Sequence, residues 1–219
     1  MRASYFQKES EKLAQLETHP MLAFQKEFLR WMLSDGAFAL LLQGAPNPDG
    51  LSLRVDWIEI TSFANTKETC MYCGAEKDEA GSLRGWSMFP GEEWLTQSLF
   101  MLKQDTRMLE ENIVPLGVTY LLQLAEKHHF TPGDVDWFLP HLSSLFFKDK
   151  ILEESGRRGC FIPEEKWFYN LPTVGNIASA SAFAMLEELM NTNRLQKGQK
   201  LLMMIPESAR FSYCYCMLQ

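Results

Sequence analysis

Between Val135 and Leu218, short runs of β-type composition alternate with segments of helical period, and this alternation restricts the chain to an α/β fold with a largely parallel or mixed sheet. Val135-Asp-Trp-Phe-Leu reads as a strand that stops at Pro140. Ser143 and Ser144 suit the N-cap of a helix through Lys150 to Glu154, because their hydroxyls can accept an unpaired first-turn amide. A second helix is expected from about Ile177 to Leu195, then a strand over Lys200-Leu-Leu-Met-Met-Ile and a last strand over Phe211 to Leu218. In such sheets, sites form where strands end and helices begin.

The upstream half is less regular. Met21 to Leu33 has helix-like apolar spacing. Ser34-Asp-Gly punctuates the chain, and Ala37-Phe-Ala-Leu-Leu-Leu follows with the composition of a short buried strand. Leu53 to Phe63 mostly alternates and is expected to be a second strand. Residues 64–93, rich in Gly, Ser, Lys and Glu, look like a surface excursion, and Trp94 to Lys127 is expected to be helical with a break near Pro115.

Charge narrows the partners. The formal net charge of −7 argues against a nucleic-acid or anionic-membrane surface. No apolar run exceeds six residues, far short of a membrane span, and the N-terminus lacks the apolar core of a signal peptide; a cytoplasmic protein is expected. Five cysteines, an odd number, fit reduced thiols better than a disulfide framework. Cys70 and Cys73 form a lone C-x-x-C, and Cys214 and Cys216 would share one face of an extended strand. A structural zinc site needs four ligands, and a C-x-C second pair is a poor complement, so no metal is expected.

Two junctions carry chemistry. Asp134-Val-Asp-Trp-Phe-Leu-Pro-His141 places a histidine just past a strand's carboxyl end, and Gly175-Asn176-Ile-Ala-Ser-Ala-Ser places an asparagine at a helix entrance built of small residues. Taken singly, the histidine reads as a hydrogen-bonded structural residue and the asparagine as an N-cap. Together, with about thirty residues of helix and loop between them and a terminal strand pair after them, they resemble the C-terminal half of β-ketoacyl-acyl-carrier-protein synthase III, one of the thiolase-like condensing enzymes. Met32-Leu-Ser-Asp-Gly-Ala-Phe-Ala-Leu-Leu-Leu is similar to the turn and strand that close that family's N-terminal half.

The resemblance implies a thiolase-like α/β fold with helices on both faces of a mixed sheet. It divides the chain into residues 1–63, the end of the N-terminal half, 64–113, an insert and connecting helix, and 114–219, the C-terminal half. The implied chemistry is decarboxylative Claisen condensation of an acyl thioester with a malonyl-carrier thioester, as in fatty acid or polyketide synthesis. His141 and Asn176 would be the oxyanion donors beside a cysteine nucleophile. That cysteine lies upstream of the Ser-Asp-Gly turn in the family, and no cysteine precedes Cys70, so the chain reads as a fragment, inactive alone. Acyl-coenzyme A or acyl carrier protein are the implied substrates, with no other cofactor, and a homodimer or association with the complementary half is expected. Three departures bear on specificity. Leu142-Ser-Ser stands where many members have Gln-Ala-Asn, and Phe146 replaces a basic residue that meets the carrier. Glu207-Ser-Ala-Arg-Phe-Ser replaces the family's Gly-rich turn. The competing reading is a non-catalytic partner subunit that shapes a pocket or a dimer. A zinc or redox module built on Cys70 and Cys73 is the third.

Overall fold

In the computed structural model, which describes Leu29 and residues 31–219, the main sheet has four strands in the order β1-β8-β7-β6. The elements are β1 (Val55–Ser62), β2 (Met71–Tyr72), β3 (Ala75–Lys77), β4 (Leu83–Gly85), α1 (Glu93–Thr96), β5 (Lys103–Gln104), α2 (Thr106–Lys127), β6 (Trp137–Pro140), α3 (Phe146–Arg157), α4 (Leu171–Val174), α5 (Ala180–Asn191), β7 (Leu201–Glu207) and β8 (Ser212–Leu218). β6 and β7 run parallel, with Leu139 opposite Met203 and Pro140 opposite Met204. β8 is antiparallel to both β7 and β1.

The two-residue period of the strands assigns their side chains to two cores. Phe138, Leu202, Met204, Tyr213, Tyr215 and Met217 face one core, against α2 and α3. Trp137, Leu139, Leu201, Met203, Cys216 and Leu218 face the other, against α5. A mixed sheet with helices on both faces is therefore what the chain forms, and near-continuous apolar runs in β6 and β7 are the mark of strands covered on both sides. Cys214 and Cys216 alternate with Tyr213 and Tyr215, so they do share a face.

The long helix departs from its expected bounds. It begins at Thr106, because the Asp105 carboxylate accepts from the Met108 amide at 2.9 Å and caps the first turn. Residues 94–105 contribute only α1 and β5. The helix also runs through Pro115 without a break. Pro115 removes one intrahelical donor, and packing against the sheet holds the helix across it. Tyr213 donates its hydroxyl to the Ile113 carbonyl at 2.7 Å, and Tyr215 to that of Gly117 at 3.0 Å. A Cβ at Gly117 would stand 2.9 Å from the Tyr213 ring, so glycine is what allows that approach.

Three other expectations need correction. Ala37 to Leu42 forms no strand; it is irregular, with Leu41 87% exposed, because it has no partner strand among the described residues. The last helix begins three residues later than expected, after a turn at 175–178, and stops at Asn191. Residues 64–93 are more than a surface excursion. They hold the β3/β4 ribbon and β2, which pairs with β5, and Cys70 is fully buried, its amide donating to the Ala209 carbonyl at 2.8 Å. β1, ahead of the 63/64 division, pairs with β8, and α2 runs across the 113/114 division. The helix expected over Met21 to Leu33 lies outside the described residues except at its end, where Leu29, Trp31 and Met32 are helical.

Leu189 on α5 is completely buried in the second core. Leu189→Ala should lower unfolding free energy by about 2–5 kcal/mol. Exposed Glu187→Ala on the same helix should stay within about 0.5 kcal/mol. Denaturant unfolding of the two variants checks the placement of this face.

Candidate active site

His141 stands one residue beyond β6, and its amide donates to the Met204 carbonyl at 2.8 Å, prolonging the β6/β7 pairing past Pro140. The strand exit therefore fixes the histidine's backbone, and the residue is 7% exposed. Asn176 comes from a different element, the turn ahead of α5, and is 5% exposed. Although 35 positions apart, both residues line one cavity of about 270 Å³. The rest of its wall is mainly apolar, including Leu33, Met71, Val118, Leu142 and Phe147.

The imidazole has a defined state. Burial without a charged neighbour pushes the His141 pKa down to about 4, so the ring is neutral near pH 7. Nδ1 is buried with no hydrogen-bond partner among the described residues. In the tautomer with its proton on Nε2 the ring leaves no buried N–H unpaired at Nδ1, and Nε2 is then a donor. Asn176 spends its Oδ1 on the Ala178 amide at 3.1 Å. It is not the N-cap of α5, which is Ser179. Its Nδ2 makes no hydrogen bond with the described residues and is left as a donor. The site thus offers two neutral N–H donors in an apolar enclosure, an arrangement that can stabilise an oxygen acquiring negative charge.

Other polar groups at the cavity are differently committed. The turn between β7 and β8 presents its amides to its own side chain: the Glu207 carboxylate accepts from Ala209 N–H and, at 3.1 Å, from Arg210 N–H. Gln104 is not singled out by the sequence, where nothing distinguishes a glutamine ahead of an N-cap. It lines the cavity, donates from Nε2 to Ser208 Oγ at 3.1 Å, and keeps a buried Oε1 without a partner among the described residues. The N-cap of α3 is Leu145, not Ser143 or Ser144 as expected, although Ser144 Oγ accepts the Phe146 amide at 3.2 Å.

No cysteine among the described residues lines the cavity. Burial raises the thiols of Cys70 and Cys216 to about 12 and also raises Cys160 and Cys214. Thiols held protonated are poor nucleophiles. Cys70 and Cys73 diverge, the first donating to the Asp105 carbonyl inside the core and the second exposed. Among the described residues no three His, Cys, Asp or Glu side chains gather to hold a metal ion, and no helix is long and apolar enough to cross a membrane.

The buried neutral histidine makes stability depend on pH. The unfolded chain titrates His141 near 6.5 and the folded chain near 4, so between these values the unfolded state binds more protons. Its contribution is complete above pH 6.5 and is lost on acidification, by about 3 kcal/mol on reaching pH 4. His141→Gln removes this slope. The stability of the parent relative to the variant should therefore fall by about 3 kcal/mol as pH drops from 7 to 4, and a difference that stays constant would mean that the imidazole is not held neutral.

Residues 125–205 match the family described as 3-oxoacyl-[acyl-carrier-protein] synthase III C terminal. The β-ketoacyl-[acyl-carrier-protein] synthase III of Clostridium perfringens is 31% identical over 103 residues, covering 47% of this chain and 28% of that protein. Synthase III 1 of Deinococcus radiodurans is 35% identical over 83 residues, covering 38% and 23%. Among solved structures, synthase III from Thermus thermophilus superposes with a TM-score of 0.55 at 21% identity, over 75% of this chain and 45% of that one. A variant form of OleA from Xanthomonas campestris gives 0.56 at 18% identity, over 76% and 40%. The chain spans less than half the length of each of these relatives. Residues 125–205 are thus similar to the C-terminal part of β-ketoacyl-[acyl-carrier-protein] synthase III, and the fold is that shared by the solved synthase III and OleA structures.

Proposed function

We propose that this chain supplies the oxyanion-binding half of an acyltransferase that performs decarboxylative Claisen condensation, with His141 and Asn176 as catalytic residues. The observation that carries the reading is the shared cavity, lined by two buried neutral side chains from separate elements, with Asn176 held through its Oδ1 so that its Nδ2 stays available as a donor. A malonyl thioester would place its thioester oxygen between His141 Nε2 and Asn176 Nδ2. The bond between its carboxylate carbon and Cα breaks, carbon dioxide leaves, and the electron pair passes to an enolate whose charge rests on that oxygen. The apolar wall disfavours the malonyl carboxylate and not the neutral gas it becomes. The enolate carbon then attacks the carbonyl of an acyl thioester, expelling its thiolate.

The acyl-bearing thiol in this scheme comes from outside the described cavity residues, in the same or another polypeptide. Acyl-coenzyme A and acyl carrier protein thioesters are the proposed substrates. A complementary thiolase-like half or a second copy would cover the exposed residues Phe38, Leu40, Leu41 and Leu42, together with Ile58 and Ile60 on the open edge strand β1. Apolar patches beyond a few hundred Å² are uncommon on monomers, so the isolated chain should self-associate. Light scattering that returns a stable monomer would count against this.

The absence of a thiol among the described cavity residues supports the second reading, a non-catalytic partner that shapes a pocket. Two measurements separate them. The isolated chain should release carbon dioxide slowly from malonyl-coenzyme A without forming a stable acyl-enzyme, as read by mass spectrometry. With the complementary half supplied, His141→Ala and Asn176→Ala should each lower condensation roughly 10²–10³-fold. Rates indifferent to both substitutions would leave only the partner role.

A further inference from the structure

The cavity asparagine is held from outside its own helix. Asn176 sits in a turn with two left-handed residues, Gly175 at φ 81° and Ala178 at φ 53°. Positive φ is natural for glycine and strained for alanine, and such turns persist only where neighbours over-determine them. The neighbours are residues 33–36. Leu33 forms a parallel bridge with Asn176, and the Ser34 amide donates to the Asn176 carbonyl at 2.8 Å.

The contact leaves no room for a side chain at either glycine. A Cβ at Gly175 would stand 2.3 Å from Ser34 Oγ, and one at Gly36 would stand 2.7 Å from Ile177 Cδ1 and 2.9 Å from Ile177 Cβ. The last distance decides the outcome, because a Cβ cannot rotate away. An added methyl at Gly36 must displace the backbone of Ile177, the residue next to Asn176. The same stretch reaches the cavity directly, since Leu33 lines it.

We infer that Ser34, Gly36 and Gly175 are positioning residues for Asn176: the strap at 33–36 seats against the turn at 175–178 and sets where the amide donor stands in the cavity. The seating is a property of this chain alone, and only its catalytic consequence rests on the donor role proposed above. Ser34-Asp-Gly thus serves the asparagine turn across about 140 residues of sequence, with Gly36 present for close approach rather than for turn geometry.

The test uses the 219-residue chain labelled with ¹⁵N and follows the Asn176 side-chain amide resonances, assigned by their loss in Asn176→Asp. In Gly36→Ala they should move by more than their line width. Gly85→Ala, where an added Cβ meets nothing within 4 Å, should leave them in place. In Gly36→Ala/Ile177→Gly the Ile177 Cβ goes with the rest of its side chain, the space is restored, and the resonances should return to the parent position. If the single variant fails to fold, the double variant carries the test alone. Unmoved resonances in Gly36→Ala would overturn the inference, as would a double variant that stays displaced or unfolded. In the assembled protein, Gly36→Ala should slow condensation about 10²-fold, with recovery in the double variant. Resonances that move in a protein showing no condensation at all support the seating and remove the catalytic reading.

Discussion

The parallel pairing of β6 with β7 is the constraint on which the rest of this structure depends. It continues one residue past Pro140 through the bond from His141 N–H to the Met204 carbonyl, so the histidine's position is an extension of the sheet and not a property of a loop. β7 can hold that role because it is paired on both edges and covered on both faces. Its other neighbour, β8, anchors α2 through two tyrosine hydroxyls, which fixes a helix that contributes to the cavity wall.

Electrostatically the site is quiet. The carboxylate on its rim, that of Glu207, is folded back on the amides of its own turn, and the imidazole is kept uncharged by burial. A neutral donor pair in a dry wall does little for a neutral carbonyl and much more for an enolate, because an uncompensated charge gains most from fixed dipoles where water is excluded. That difference between ground state and transition state is what catalysis requires.

The sheet and its two helical layers were legible in the sequence because β6, β7 and β8 are local patterns with strong periods, and Val135 to Leu218 contains nearly all of them. The placement of His141 and Asn176 at element boundaries was legible because each follows a punctuation signal, Pro140 and Gly175. What was not legible was set by contacts distant in sequence. The helix across Pro115 depends on Tyr213 and Tyr215, about a hundred residues later. Ala37 to Leu42 has the composition of a strand, but a strand exists only beside another, and no composition reveals whether a neighbour is present. The start of α2 at Thr106 is signalled by Asp105, whose capping geometry competes with the apolar spacing that suggests an earlier start. Gln104 carries no signal at all.

The central claim is that one substrate oxygen is shared by His141 and Asn176. A structure of the chain with bound acetyl-coenzyme A tests it most directly. The account predicts the thioester oxygen at about 3 Å from both His141 Nε2 and Asn176 Nδ2. A thioester bound elsewhere, or an oxygen that reaches only one of the two, would contradict it.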